Sequence, residues 1–131
     1  MSMTYNIRQA GAATVVDLAG RIILREGTEP GAASAAELHA LVRDLVENGH
    51  RNILLNLRDV TDIDSLGIGQ LFGCLTTVRK RGGVLKLTHP TERVRNLIRL
   101  TKLDTVIDMI EDEATAVRSF SKAEEHRASG A

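Results

Sequence analysis

Asn52-Ile53-Leu54-Leu55-Asn56-Leu57, followed by Arg58-Asp59-Val60-Thr61-Asp62-Ile63-Asp64-Ser65-Leu66-Gly67-Ile68-Gly69, is the stretch on which the fold turns. Its first six residues hold a short apolar run, the pattern of a strand covered on both faces. The polar residues that follow read as a turn. Beyond them Ile68, Leu71, Phe72, Leu75 and Val78 recur at helical spacing, so a helix with one apolar face is expected over residues 65–79. Strand, turn and helix meet at Ser65. A serine at such a joint can cap free backbone N–H groups, and a helix N-terminus attracts anions. A chemical switch in this chain is expected there.

On the N-terminal side, residues 4–8 alternate weakly between polar and apolar, as an edge strand can. Gly11 marks a turn, and Ala13 to Leu18 reads as a second strand ending near Gly20. The two suggest an antiparallel hairpin. Ile22-Ile23-Leu24 either extends the second strand or starts a short third one, and residues 25–33 read as a loop. Ser34 and Glu37 fit a capping box for a helix whose stripe is Leu38, Leu41, Val42, Leu45 and Val46, stopped at Gly49.

On the C-terminal side, Gly82-Gly83 ends the central helix and Val84 to Leu87 reads as a strand. Pro90 suits the first turn of a helix carrying Val94, Leu97 and Ile98. Val106 to Ile110 reads as a last strand. Asp112 can cap a last helix with Ala114, Val117 and Phe120 inward. Residues 1–120 form the domain, and residues 121–131, with no apolar pattern, are expected to be a flexible C-terminal tail. The order of two strands followed by α-β-α-β-α-β-α predicts a single α/β domain. Its sheet is mixed, of four to five strands, with about four helices mainly on one face.

Composition narrows the function. Seventeen Lys plus Arg against seventeen Asp plus Glu argues against a basic nucleic-acid surface and against attraction to acidic membranes. One Tyr, two Phe and no Trp make base stacking improbable. Cys74, the single cysteine, can form neither an internal disulfide nor a cysteine metal cluster, and it reads as a buried, inert thiol. No apolar segment is long enough to span a bilayer and no signal-peptide core is present, so the expected location is cytoplasmic.

Enzyme chemistry finds little support. Gly67-x-Gly69 opens a helix after a strand, but the third glycine of a dinucleotide fingerprint would fall at position 72, which is Phe72; Gly73 comes one residue late. No Gly-x-Ser-x-Gly surrounds Ser65. His39, His50, His89 and His126 are scattered and read as solvated surface residues. Asp59, Asp62 and Asp64 are spaced like the start of a calcium loop that lacks its glycine and glutamate. No catalytic residue, metal site or cofactor is therefore assigned. Gly67, Gly69 and Gly73 each cost about 1 kcal/mol relative to alanine within a helix, so each asks for a reason, either tight packing or close approach by a partner.

Asp59-Val60-x-x-Ile63-Asp64-Ser65-x-Gly67-Ile68-Gly69, after an apolar strand and before an amphipathic helix, resembles the STAS domain, and more narrowly a bacterial anti-sigma-factor antagonist. Gly82 to Leu87 and the elements from Val94 to Phe120 extend the likeness over roughly residues 4–120. The resemblance implies a regulatory binding protein with no catalysis of its own. In the proteins it resembles, the serine matching Ser65 is phosphorylated by the partner, an anti-sigma factor that is a serine/threonine kinase. The unphosphorylated antagonist binds that kinase and frees its sigma factor, and a PP2C-type phosphatase resets the switch. A phosphate adds roughly −1.5 to −2 charge at neutral pH, enough to eject a docked surface, and Asp64 would add to the repulsion. Ile63, Asp64, Ser65, Leu66, Gly67 and Ile68 are the expected partner-binding residues, with Ile63, Leu66 and Ile68 flanking an exposed patch. Two positions depart from the family pattern. Arg21-Ile22-Ile23-Leu24 follows Gly20 where many phosphorylated members carry an acid, and Asn56 stands where many have aspartate. The same fold binding partners without phosphorylation, in a scaffold or a transport-associated complex, is the alternative.

Overall fold

In the computed structural model the described residues are 3–23 and 34–129, with side chains described for 3–23 and 35–121. The element order is β1 (Met3–Ala10), β2 (Ala13–Ile22), α1 (Ser34–Glu47), β3 (Asn52–Ile63), α2 (Ser65–Lys80), β4 (Val84–Thr88), α3 (Glu92–Leu100), a 3-10 turn (Leu103–Thr105), β5 (Asp108–Ile110) and α4 (Glu113–Ser129). The five strands form one sheet in the order β1-β2-β3-β4-β5. β1 pairs antiparallel with β2, and the other neighbours are parallel.

That order dictates the layers. Parallel crossovers are right-handed as a rule, and the strands here advance across the sheet in one direction, which calls for α1, α2 and α3 on the same face. The main core bears this out: Leu38 and Val42 of α1, Leu71 and Val78 of α2, and Val94 and Ile98 of α3 pack with Val16, Ile53, Leu55 and Leu87. α4 comes after the last strand and covers the other face, where Ala116 and Phe120 pack on Ala13, Val15 and Leu54. The central run Ile53-Leu54-Leu55 is fully buried because both faces of β3 are covered.

Several expectations shift. β2 runs on to Ile22. Residues 24–33 and the Ser34 side chain lie outside the described residues, so the expected loop and capping box do as well. α3 is capped by Thr91, whose Oγ1 accepts from Val94 N at 3.3 Å, one residue after the Pro90 expected in its first turn. In α4 the inward small residue is Ala116, while Ala114 is exposed. The helix also continues to Ser129, through most of the stretch expected to be a flexible tail. Ala, Glu, Lys and Arg favour helix without any apolar stripe, which is why periodicity did not reveal it.

The larger correction concerns the central stretch. β3 is twelve residues long, so the polar segment after Leu57 is strand rather than turn. It pairs with β2 from Ala19↔Asp59 to Ile22↔Ile63, with register shifts between Asp17 and Ala19 and between Gly20 and Arg21. From Asn56 to Ile63 the strand uses two more residues than β2 does from Asp17 to Ile22, which is the count of two bulges. Side chains settle the disturbed amides: Arg58 N donates to Asn56 Oδ1 at 3.1 Å and Ile63 N to Asp62 Oδ1 at 2.9 Å.

Candidate functional site

β3 passes into α2 with a single residue, Asp64, between them. Asp64 N donates to the Ile22 carbonyl at 3.3 Å, which ties the joint to the end of β2. Asp64 is the N-cap, in extended conformation (φ −95°, ψ 174°), and its Oδ1 accepts from Gly67 N at 2.6 Å. The cap is thus the aspartate, and Ser65 is the first residue of the helix instead of its cap. The Ser65 side chain is exposed. A carboxylate on a first-turn amide also complements the helix dipole.

Gly67 is required by packing. A Cβ there would stand 2.4 Å from the Ile22 carbonyl oxygen and 2.9 Å from Ile63 Cγ1. Gly73 makes room for a side chain instead of a backbone: a Cβ would stand 2.8 Å from Cε1 of His39 on α1, so the imidazole would have to shift. His39 is half-buried over that gap, its Nδ1 2.9 Å from Gln70 Oε1 and its Nε2 3.0 Å from Thr77 Oγ1. It therefore clamps α1 to α2 and is not the solvated residue expected. Gln70, Gly73 and Thr77 share one face of α2, which is the sequence signal for such a clamp. Gly69 differs: a Cβ there would meet nothing within 4 Å.

Of the three apolar residues expected to flank a patch, Leu66 alone is exposed, at 54%. Ile63 and Ile68 are core, because β3 extends to Ile63 and the first inward turn of α2 carries Ile68. Phe72, read as part of the inward stripe, is instead 41% exposed. Leu66, Gly69, Phe72 and Thr76 make one open ridge along α2, apolar at Leu66 and Phe72 and bare at Gly69.

Beside Ser65 lies a groove of about 510 Å³ between the β3–α2 joint and α3. Asp62, Ile63, Asp64 and Ser65 form one wall; Arg93, Asn96, Leu97 and Leu100 form the other. Arg93 Nε sits 3.1 Å from Asp62 Oδ1 across it, and Leu100 is 80% exposed at its rim. Thr91 Oγ1 donates to the Val60 carbonyl at 3.3 Å, fixing the start of α3 against the overhanging strand. No local pattern in the sequence marks the α3 wall; Leu97 reads there simply as part of the helix's apolar stripe.

Elsewhere, Asp17 holds Asn56 Nδ2 at 2.8 Å and Arg8 Nε at 2.8 Å, and Arg8 also reaches Glu113. The guanidinium keeps the Asp17 carboxyl down at about 2 and lowers that of Glu113. Burial pushes the Cys74 thiol up to about 12, in keeping with an inert core residue. Among the described residues no group of three His, Cys, Asp or Glu is placed to hold a metal ion, and no helix is long and apolar enough to cross a membrane.

The profile of the STAS domain matches residues 7–116. The anti-sigma-B factor antagonist of Bacillus subtilis (strain 168) is 30% identical over 115 residues, covering 83% of this chain and 92% of that protein. A Thermotoga neapolitana relative is 32% identical over 74 residues, which is 56% of this chain and 66% of the relative's length. Among solved structures, an anti-sigma factor antagonist from Mycobacterium paratuberculosis superposes with a TM-score of 0.73 at 19% identity, covering 90% of this chain and 93% of the other. The Bacillus cell fate determinant SpoIIAA in its phosphorylated form gives 0.64 at 17% identity (89% and 99% covered). A sulfate transporter family protein from Wolinella succinogenes gives 0.70, also at 17% (87% and 88% covered). At these identities the three structures establish the shared fold.

Proposed function

The chain belongs to the STAS domain family, and we propose that it works as a cytoplasmic anti-sigma-factor antagonist switched by phosphorylation of Ser65. Unphosphorylated, it binds an anti-sigma factor that is a serine/threonine kinase, and the sigma factor is released. The kinase then modifies Ser65 and the complex parts, and a PP2C-type phosphatase restores the binding form. The chain acts by binding and supplies no catalytic group.

One observation carries the reading: Ser65 is exposed as the first residue of α2, held there by the Asp64 cap and by the contact of Gly67 with β2. A hydroxyl in that place is reachable by a kinase. The ridge of Leu66, Gly69 and Phe72 beside it offers apolar contact and, at Gly69, room for another backbone. A phosphate there would bring roughly −1.5 to −2 charge next to Asp64 and Asp62, so an interface shaped for a hydroxyl would lose its partner. The Bacillus subtilis relative is named an anti-sigma-B factor antagonist, which supports the antagonist part of this reading.

Incubation with the cognate kinase and ATP, followed by mass spectrometry, tests it. Ser65 gains one phosphate and the modified chain no longer binds the kinase. Ser65→Ala binds and stays unmodified; Ser65→Asp binds poorly. Phosphate found only at other residues, or tight binding by Ser65→Asp, would put the second reading in front, that of a STAS module binding its partner without phosphorylation. The segment Arg21-Ile22-Ile23, which lacks the acid usual after Gly20, is the observation that favours that second reading.

A further inference from the structure

Among the described residues the N-terminal edge of the sheet is open: β1 is outermost and pairs with β2 alone, in unbroken register from Met3↔Gly20 to Ala10↔Ala13. Exposed edges in monomeric proteins are commonly blocked by proline, outward lysine, a bulge or short length. β1 is eight residues long, contains no Pro or Lys and has no bulge. Its one cation, Arg8, is held by Asp17 and Glu113. The opposite edge, β5, has only three residues.

The hairpin fixes which backbone groups face outward. Gly11 and Ala12 form a two-residue loop, with Gly11 at φ +57° in the first central position, as a type II′ turn requires. The flanking Ala10 and Ala13 are then a hydrogen-bonded pair. Counting back in twos, Arg8, Asn6 and Thr4 turn their N–H and C=O groups to β2, while Gln9, Ile7, Tyr5 and Met3 turn theirs outward.

That outward set complements itself. An antiparallel second copy, related by a two-fold axis through Asn6, sets Tyr5 against Ile7 of the second copy and Ile7 against Tyr5. Both residues face outward, so these are hydrogen-bonded pairs, and Met3 with Gln9 adds another on each side. Tyr5 and Ile7 are 54% and 41% exposed. They lie opposite Leu18 and Val16, which belong to the main core, so the pairing would prolong that core across the axis. An aromatic residue facing a β-branched one is a favourable cross-strand pair.

We propose that β1 is a self-association edge, and that two copies of this chain pair their β1 strands about a two-fold axis at Asn6 to make one ten-stranded sheet. The interface is isologous and closes as a dimer. Asn6 meets its own copy in a non-hydrogen-bonded pair, with Cα atoms about 4.5 Å apart, a separation a disulfide can bridge.

Sedimentation velocity from micromolar to millimolar concentration is the first measurement. The wild-type mass should rise toward twice the monomer, and Ile7→Lys should remain monomeric with its melting temperature nearly unchanged. The register is read by cross-linking under mild oxidation. Asn6→Cys should give a covalent dimer reversed by thiol, whereas Thr4→Cys, which would face Arg8, should not. Cys74 is buried with a raised thiol pKa and does not compete. A wild-type chain that is monomeric throughout, an Ile7→Lys variant that still dimerises, or Thr4→Cys cross-linking as fast as Asn6→Cys would each overturn the proposal. Should Asn6→Cys fail to fold, the wild-type and Ile7→Lys masses decide.

Discussion

Gly67→Ala is the substitution that tests how the switch helix is seated. The added Cβ would lie 2.4 Å from the Ile22 carbonyl oxygen. That is about 0.9 Å inside the roughly 3.3 Å at which carbon and carbonyl oxygen ordinarily meet. The oxygen is backbone and accepts the Asp64 N–H at 3.3 Å, so it cannot retreat without loosening the joint between β2 and α2. A second contact, 2.9 Å to Ile63 Cγ1, presses on a buried side chain. Overpacking of this kind costs about 1–3 kcal/mol, and alanine returns about 1 kcal/mol of helix propensity. Loss of the Asp64 hydrogen bond adds about 1 kcal/mol. The net is a destabilisation of roughly 2 kcal/mol, which for a chain of this size is a fall in Tm of about 6–10 °C. Gly69→Ala is the control, since its Cβ meets nothing within 4 Å. It should gain up to about 1 kcal/mol and melt a few degrees higher. Thermal melts by circular dichroism, with urea midpoints at constant m, read both. A Gly67→Ala chain as stable as wild type, or a Gly69→Ala chain that falls as far, would refute the seating described here.

Asp64→Ala removes the side chain that accepts from Gly67 N and should cost about 1 kcal/mol by urea unfolding, with Asp64→Asn recovering most of it; equal losses in the two variants would deny the capping role. Leu66→Asp should weaken kinase binding while leaving Tm almost unchanged, because Leu66 is 54% exposed, and a parallel loss of both would make Leu66 a core residue. The acid limb of stability should report the Arg8 cluster. Asp17 titrates at about 2 against an ordinary value of 3.8, and Glu113 is also lowered, so both bind protons more weakly in the folded chain. Their contribution is complete above the unfolded values near 4 and is lost as pH falls from there through about 2. Arg8→Met should therefore flatten the fall in urea midpoint between pH 4 and pH 2, and an unchanged slope would show that the cluster does not set it.

What the sequence disclosed follows from which signals are local. The stripe Leu38, Val42, Leu45 and the stop at Gly49 (φ +93°) are written within one element, and α1 came out as expected. The position of Ser65 at the head of α2 was legible for the same reason. Its role in the cap was not, because Asp64 and Ser65 are both good caps, and one residue of register decides between them. The extension of β3 was hidden by Arg58, Asp59, Thr61 and Asp62, whose chemistry is that of turns. Two bulges also break the period-2 alternation by which a strand announces itself. The α3 wall of the groove was beyond reach of any local pattern, since Arg93 and Asn96 come to Ser65 only through a crossover.

The groove follows from the unequal lengths of neighbouring strands. β4 ends at Thr88, opposite Asn56, so among the described residues β3 from Leu57 onward has a partner on the β2 side alone. The chain leaving β4 turns at His89 (φ +51°) and Pro90 and brings the start of α3 under that unpaired edge, where Thr91 binds the Val60 carbonyl and Arg93 binds Asp62. A step in the sheet thus becomes a groove with a strand end and a helix N-terminus on one side and a helix face on the other. It lies beyond the carboxyl ends of the parallel strands. Ser65 is accessible because β3 overshoots its neighbour, and the bulged polar segment that obscured the strand in the sequence is the part of the chain that carries it there.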